Sequence, residues 1–426
     1  MSFALAEQGT SLLAEPAKPR FFYGYVVVAA VSFVMLAVSG AGQTFGIFFK
    51  PLLVEFGWTR ASTAGAQSLR SVLYGILVII TGRFNDRFGP RLITTASGFI
   101  LGLGYLLMSQ LHNSWQLYLY YGVVIAVGSS GEMVPLVSTV ARWFVKRRGL
   151  ITGIVLSASG LSQTVIPLLV SRLLVAYDWR QSYIIVAFIA LLPTIVAAQF
   201  LRRDPAKMGQ SPYGSGEAGA GGITVQTTGL SLQEAIHTWQ LWLLCITVAT
   251  SSFGVGVIQV HIVAHATDLG MSVTSGANIL AFIGGLGIAG RIIMGTAADR
   301  IAPKLALIIA CILQAVALFF VISAKEAWTL YLFGAIFGFG FGSFLPVHSI
   351  IVAELFGLSS HGVIYGLTML SVTVGLGIGS VLAGKIFDVT GGYTLAFLIS
   401  AIAMVLGLIS AFLLKPMVRQ GEASDS

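Results

Sequence analysis

Gly82-Arg83-Phe84-Asn85-Asp86-Arg87-Phe88-Gly89-Pro90-Arg91 separates two apolar runs, and Gly295-Thr296-Ala297-Ala298-Asp299-Arg300-Ile301-Ala302-Pro303-Lys304 separates two more. Asp86-Arg87 matches Asp299-Arg300 at a constant offset (299 − 86 = 213), and so do Gly82 with Gly295 and Pro90 with Pro303. The same offset pairs Gly57 with Gly270, Gly149 with Gly362 and Gly153 with Gly366. Chance supplies a glycine match or two, but not an Asp-Arg pair in register with them, so the chain reads as an internal duplication.

Outward from these stretches the sequence is almost wholly apolar. Of 426 residues 56% are hydrophobic and only 9% charged, against about 25% charged in a soluble domain. Mean hydropathy is +0.90. Such a chain cannot build a water-facing surface, and its 50 glycines suit membrane helices that pack at small residues. A span needs roughly 20 apolar residues. The spans expected are 24–49, 60–82, 92–111, 115–141, 150–176 and 181–201, then 236–266, 274–298, 304–323, 327–355, 362–387 and 393–414. Lipid offers no partner to unpaired backbone groups, so each is read as a helix. The fold class expected is an all-α membrane protein of twelve transmembrane helices in two six-helix bundles, 24–201 and 236–414, with tails 1–23 and 415–426.

The net charge of +8 is concentrated at helix ends, in Arg83, Arg87 and Arg91, in Arg142, Lys146, Arg147 and Arg148, and in Arg202, Arg203 and Lys207. This is the pattern of the positive-inside rule and not of a nucleic-acid surface. It places both termini and the linker 202–235 in the cytoplasm. Gly214, Gly216, Gly219, Gly221 and Gly222 with interspersed Ser and Thr make that linker read as a flexible tether. Ser231 with Glu234 has the spacing of a capping box opening a short helix. Residues 1–20 lack the apolar core and cleavage site of a removable signal peptide. Cys245 and Cys311 lie inside apolar runs, so neither a disulfide framework nor a metal cluster is implied, and no cofactor is expected. Gly285, Gly287 and Gly290 fit a dinucleotide fingerprint in spacing but lack the strand it requires, and are read as helix-packing residues.

The paired stretches resemble the loop signature of the major facilitator superfamily, which in that family controls the conformational switch. The resemblance gives that role to Gly82, Asp86 and Arg87 and to Gly295, Asp299 and Arg300. Finer motifs look like the monocarboxylate-porter and oxalate:formate-antiporter branch. They are Tyr23-Gly24-Tyr25 opening helix one, Phe56-Gly57-Trp58-Thr59-Arg60 opening helix two, Ala141-Arg142-Trp143-Phe144 before helix five, His261 through Gly270 closing helix seven, and Gly290-Arg291 in helix eight. The resemblance implies a transporter with a central site between its halves and no covalent chemistry.

Arg291 lies about two turns inside the membrane from Asp299. An intramembrane arginine is costly without a partner or a wet cavity, and nothing on helix eight supplies one. In the resembled family an arginine at this place binds the substrate anion, so Arg291 is expected to clamp a carboxylate, with Gln43, His261 and His348 as polar neighbours. Arg70 and Glu132 sit at similar depth on helices two and four. The economical reading is a mutual ion pair; the sharper one makes Glu132 a proton-coupling carboxylate tuned by Arg70. His261 and His265 stand one turn apart without an acidic third ligand, so no metal is expected. Asp178 and Tyr183 recur as Asp388 and Tyr393 and are read as structural.

The chain also departs from the family. Gln43 stands where animal monocarboxylate transporters carry a lysine, and Gly287 where they carry an aspartate one turn before the helix-eight arginine. Residues 365–384 hold no counterpart of the second cation of oxalate carriers. One central arginine matches a monoanion better than a dianion. The expectation is a monomeric secondary carrier of small organic anions, monocarboxylates foremost, by alternating access, with protons as the candidate coupling ion. The rivals are a dicarboxylate exchanger, a drug exporter and a membrane sensor that binds without transport. The short tails suggest a bacterial inner membrane.

Overall fold

The computed structural model describes residues 21–144, 148–214, 230–298, 301–357 and 361–415. Among them twelve helices are long and apolar enough to cross a membrane. In chain order they are α1 (Gly24–Phe56), α2 (Arg60–Phe88), α3 (Pro90–Met108), α4 (Ser114–Trp143), α5 (Arg148–Ala176) and α6 (Trp179–Ala198). The second set is α7 (Trp239–Asp268), α8 (Val273–Ala297), α9 (Pro303–Ser323), α10 (Ala327–Phe356), α11 (His361–Thr390) and α12 (Thr394–Leu413). Local chemistry sets their ends. Thr59, Asp178 and Ser272 accept hydrogen bonds from the third residues of α2, α6 and α8, and Pro90 and Pro303 open α3 and α9 where no amide hydrogen is needed. Gly57 ends α1 with φ of +64°, a left-handed turn that an L side chain resists.

The duplication is visible in how the helices pack. In the first set α1 lies on α5 and α6, α3 on α4 and α6, and α2 on α4; in the second α7 lies on α11 and α12, α9 on α10 and α12, and α8 on α10. Each pairing recurs six helices later. The seam between the sets is formed by α2 on α11, α5 on α8, and the second part of α1 on α7. Glycines permit the closest approaches, as the sequence reading held for Gly285, Gly287 and Gly290. Gly287 of α8 and Gly342 of α10 meet backbone to backbone, while Gly375 and Gly379 of α11 rest against the backbones of Ala249 and Phe253 of α7.

Two helices are not the continuous rods expected. The first expected span, 24–49, runs on to Phe56 and is interrupted at Gln43 and Thr44. It continues because its polar last turns find partners: Lys50 pairs with Asp268 and Glu55 with Arg180. Helix α4 carries a π-helical segment over Tyr118–Val124 and a second break at Gly131 and Glu132. Such interruptions free backbone groups inside a membrane protein and are common at functional positions.

We call the face where α1 begins and α12 ends the near face. At the opposite, far face the seam is tied. Arg60 of α2 and Lys50 of α1 both reach Asp268 of α7, at 2.7 and 2.9 Å. Contacts across the seam continue inward to Gly75 against Thr373, and to Gly160 against Ile288 and Arg291. Nearer the near face they stop: a methyl group at Gly82 would meet only Val134 of its own half, one at Gly295 only Pro346, and at Gly153 and Gly366 no atom lies within 4 Å. The protein is therefore closed at the far face and parted at the near face.

The linker's ends are better anchored than a free tether. Tyr213 donates its backbone N–H to Trp143 O at 2.9 Å, Gln210 accepts from Tyr23 N at 3.1 Å, and Leu230 N donates to Phe356 O at 2.9 Å. The expected capping box forms: Glu234 accepts from Ser231 N at 2.7 Å, and Ser231 Oγ accepts from Glu234 N, opening the short helix Leu232–Ile236. The hydrogen bonds from the Ser231 backbone and side chain hold the Glu234 carboxyl below the usual carboxylate range. Linker residues 215–229, switch residues Asp299 and Arg300, the Asp86 side chain and the tails 1–20 and 416–426 lie outside the described residues.

Candidate functional site

Arg291 projects from α8 into the seam opposite α5. Gly160 makes room for it, since a methyl group there would stand 2.8 Å from Arg291 Nη1. Among the described residues Arg291 has no ion pair, and its Nε–H is buried without a hydrogen-bond partner. The local sequence explains this: Gly284, Gly285, Gly287 and Gly290 let α8 lie close to α5 and α10 but bring no counter-charge. A cation thus sits unneutralised where the near-face opening meets the closed part of the seam. An unpaired buried charge is costly unless it is kept for an anionic ligand.

Beyond Arg291 toward the far face lies a small void of about 10 Å³, the room of roughly one water. Its polar wall is three glutamines, Gln43 from the break in α1, Gln163 from α5 and Gln259 from α7, and its apolar wall includes Val255, Ile258, Ile283, Phe337 and Phe341. Gln163 is one turn beyond Gly160 on α5, which ties the void to the arginine. Each amide carries two donors and one acceptor. No carboxylate and no cation is among the residues that line the void.

The structure therefore brings Arg291 and Gln43 to one seam, while the two histidines are placed otherwise. His261 is fully buried, and both its ring nitrogens are engaged, one with Tyr393 OH at 3.0 Å and the other with Ser380 O at 2.8 Å. In this conformation no His261 nitrogen remains for a ligand. His348 is also fully buried, with Nε2 on Thr368 Oγ1 at 2.9 Å and its ring 4.9 Å from that of Tyr365. Both histidines join helices within the second half.

Arg70 and Glu132 do not form the ion pair that similar depth suggested. Ser39 Oγ donates to Glu132 Oε1 at 2.5 Å. Arg70 instead packs against Gly42, where a methyl group would meet Nη2 at 2.9 Å, and its guanidinium carbon lies 5.6 Å from the centre of the Tyr121 ring. Depth places two residues on one level of a bundle, but the helical rotation of about 100° per residue decides whether they face each other. Glu132 occupies the break in α4, so the buried acid and the irregular backbone coincide.

Gln163 and Gln259 were not singled out from sequence. Their signal was an uncharged amide inside an apolar span, which does not say whether it faces a seam or a same-half neighbour. Of the switch-loop residues, Gly82 packs beside Val134 and Arg87 is exposed, with its guanidinium 5.2 Å from the Phe88 ring.

The family model of the Major Facilitator Superfamily matches residues 30–327 and 244–425, and the chain belongs to that superfamily. It is 27% identical over 387 residues to Monocarboxylate transporter 13 of Rattus norvegicus, covering 90% of this chain and 87% of the relative. Similarity to Monocarboxylate transporter 11 of Homo sapiens is 26% over 417 residues, covering 93% and 84%. The MFS-type transporter YhjX of Escherichia coli (strain K12) is 25% identical over 348 residues, covering 80% and 82%. Among solved structures, a bacterial homolog of the human lysosomal transporter Spinster, inward-facing and unoccupied, superposes with a TM-score of 0.75 at 15% identity, covering 94% of this chain and 98% of that one. The nucleoside transporter NupG gives 0.73 at 12% identity, covering 92% and 99%. These two likenesses concern the fold. The chain is a multi-pass membrane transporter of that superfamily and resembles its monocarboxylate branch.

Proposed function

We propose that this protein is a secondary active carrier of small organic anions, monocarboxylates foremost, working by alternating access between two halves, 24–201 and 236–414. The observation that carries the reading is Arg291, a half-buried guanidinium with its Nε–H enclosed and no carboxylate partner among the described residues, at the edge of the near-face opening. A substrate carboxylate would take its fork bidentately. Gln43, Gln163 and Gln259 stand beyond, and their neutrality favours one negative charge on the substrate over two. The relatives named monocarboxylate transporters support the same class. No covalent step is assigned to any residue.

In this reading the near face, rich in Lys and Arg, is cytoplasmic, and the membrane is a bacterial inner membrane. Gly82, Asp86, Arg87, Gly295, Asp299 and Arg300 serve as switch loops in a functional monomer. Glu132, bonded to Ser39 at the α4 break, is the candidate proton carrier, with Arg70 tuning it from a distance. His261 and His348 would contact substrate only in a conformation that releases their present partners.

The test is uptake of labelled lactate into proteoliposomes with and without an inward proton gradient, beside Arg291→Ala. Gradient-driven uptake that the substitution abolishes is the expected result. No uptake of any short monocarboxylate removes the substrate class. One observation favours a second reading, dicarboxylate exchange: Arg70, like Arg291, forms no ion pair among the described residues. Uptake of malonate only against a preloaded anion would select it.

A further inference from the structure

The far-face ends of the two halves carry equivalent acids that do different things. Glu55 and Asp268 are equivalent by the repeat (268 − 55 = 213). Glu55 stays within its own half, accepting from Trp179 Nε1 at 2.7 Å and Arg180 Nη1 at 2.5 Å. Asp268 crosses the seam to Lys50 and Arg60. Asp178 and Asp388 recur at a different offset (388 − 178 = 210), each five residues before a tyrosine, Tyr183 and Tyr393. Asp178 caps its own helix, accepting from Gln181 N at 2.7 Å. Asp388, in the last turn of α11, caps a helix of the other half: its two oxygens accept from the backbone N–H groups of Arg60 and Ala61, both at 2.8 Å.

A helix start leaves its first N–H groups without intrahelical partners. Thr59 satisfies only that of Ser62, and Asp388 supplies the rest from across the seam. The same junction holds the Arg60 side chain in place. Its Nη1 donates to Tyr393 OH at 2.5 Å, its guanidinium carbon lies 3.5 Å from the Phe387 ring centre, and His261 braces Tyr393 from behind. Negative charge at a helix N-terminus and charge-assisted hydrogen bonds are among the stronger polar contacts a protein makes. The contacts of Lys50, Arg60 and Ala61 with Asp268, Phe387, Asp388 and Tyr393 join α1 and α2 to α7, α11 and the start of α12, and none of these can survive separation of the halves at this face.

We propose that Asp388 and Asp268, acting on Arg60, are the far-face lock of the transport cycle: positioning residues that hold the near-face-open state and must release α2 before the far face can open. This rests on the alternating-access reading. Glu55, the repeat equivalent of Asp268, and Asp178 have no such role, so the lock is asymmetric, with both acids on the second half and both cations on the first.

Two reporters, each adding one cysteine, test it in purified, detergent-solubilised full-length protein, with labelling by a charged methanethiosulfonate. Ala64→Cys lies one turn past Arg60 and is fully buried, whereas Gly153→Cys lies at the parted near face. Cys245 and Cys311 are buried and set the background. Losing even one charge-assisted hydrogen bond from one state shifts a two-state equilibrium by about tenfold. Asp388→Asn and, separately, Arg60→Gln are expected to speed labelling at Ala64→Cys about tenfold and to slow it at Gly153→Cys. Glu55→Gln is expected to change neither.

Unchanged rates in both lock variants overturn the proposal. So does acceleration at both reporters together, which signals general loosening, or an equal response to Glu55→Gln. The readout needs no substrate. Reciprocal reporters in a protein that moves no anion would therefore sink the carrier reading alone, while static reporters in a protein that still transports would sink the lock alone.

Discussion

Replacing Arg291 with leucine should make the protein more stable and useless to its substrate. The guanidinium has no ion pair among the described residues, and its Nε–H is buried and unmatched. A central membrane arginine costs about 2.5–3.5 kcal/mol on an insertion scale, and the access to water that the parted near face gives Arg291 reduces this to about 1–2 kcal/mol. Leucine fits the apolar seam beside Ile288 and removes that cost. In a chain of 426 residues the gain corresponds to a rise in melting temperature of about 1–2 °C. Binding moves the other way. Truncating one partner of a buried charge pair costs about 2–5 kcal/mol, so affinity for a carboxylate should fall about 30-fold or more.

Both effects can be read from one melting series, using tryptophan fluorescence with and without lactate or another short monocarboxylate. Native protein should gain stability with ligand, by about 2.7 kcal/mol at a hundred times the dissociation constant. The Arg291→Leu protein should start higher and gain nothing, and Arg291→Lys, which keeps the charge but loses the fork, should fall between. A Leu variant that melts lower than native, or that an anion still stabilises, would show that Arg291 holds the fold together through a partner of its own, and the argument from its isolation would fail.

Other outcomes follow from the same contacts. Glu132→Gln keeps a hydrogen-bond acceptor for Ser39 but cannot carry a proton, so gradient-driven uptake should be lost while anion exchange in proteoliposomes persists; intact gradient dependence would clear Glu132 of coupling. Gly342→Ala places a methyl group against the backbone of Gly287 and should cost about 1–3 kcal/mol of stability, seen as a lowered melting temperature with the Arg291 site unmutated. Glu234, whose carboxyl is held below the usual range by Ser231, stabilises Leu232–Ile236 while ionised. That contribution is present above the ordinary carboxylate pKa and is lost as pH falls through the lower folded value. The hydrogen-exchange protection factor at Ala235, whose N–H donates to Ser231 O, should fall at the acid end in native protein and be low at all pH values in Glu234→Ala.

Much of the architecture was legible because the bilayer imposes it. Apolar runs of sufficient length must be helices, and the 213-residue register of Asp86-Arg87 with Asp299-Arg300 exposes the duplication that the packing repeats. Caps act over three or four residues, so Ser231 with Glu234 could be read directly, and the hydrogen bonds agree. Arg291 stood out because a lone cation in an apolar helix has few explanations.

What the chain alone could not decide is direction around a helix axis and contact across the seam. Arg70 and Glu132 share a depth yet face different neighbours, and His261 and His348 turn toward hydroxyl and carbonyl groups of their own half. Asp178 and Asp388 each stand five residues before a tyrosine, but one caps its own helix and the other caps α2 of the opposite half. Helical periodicity and capping are local and are written in a few neighbouring residues. Which side chains meet across two packed bundles depends on crossing angles and glycine contacts between segments hundreds of residues apart, and only the folded protein contains that information.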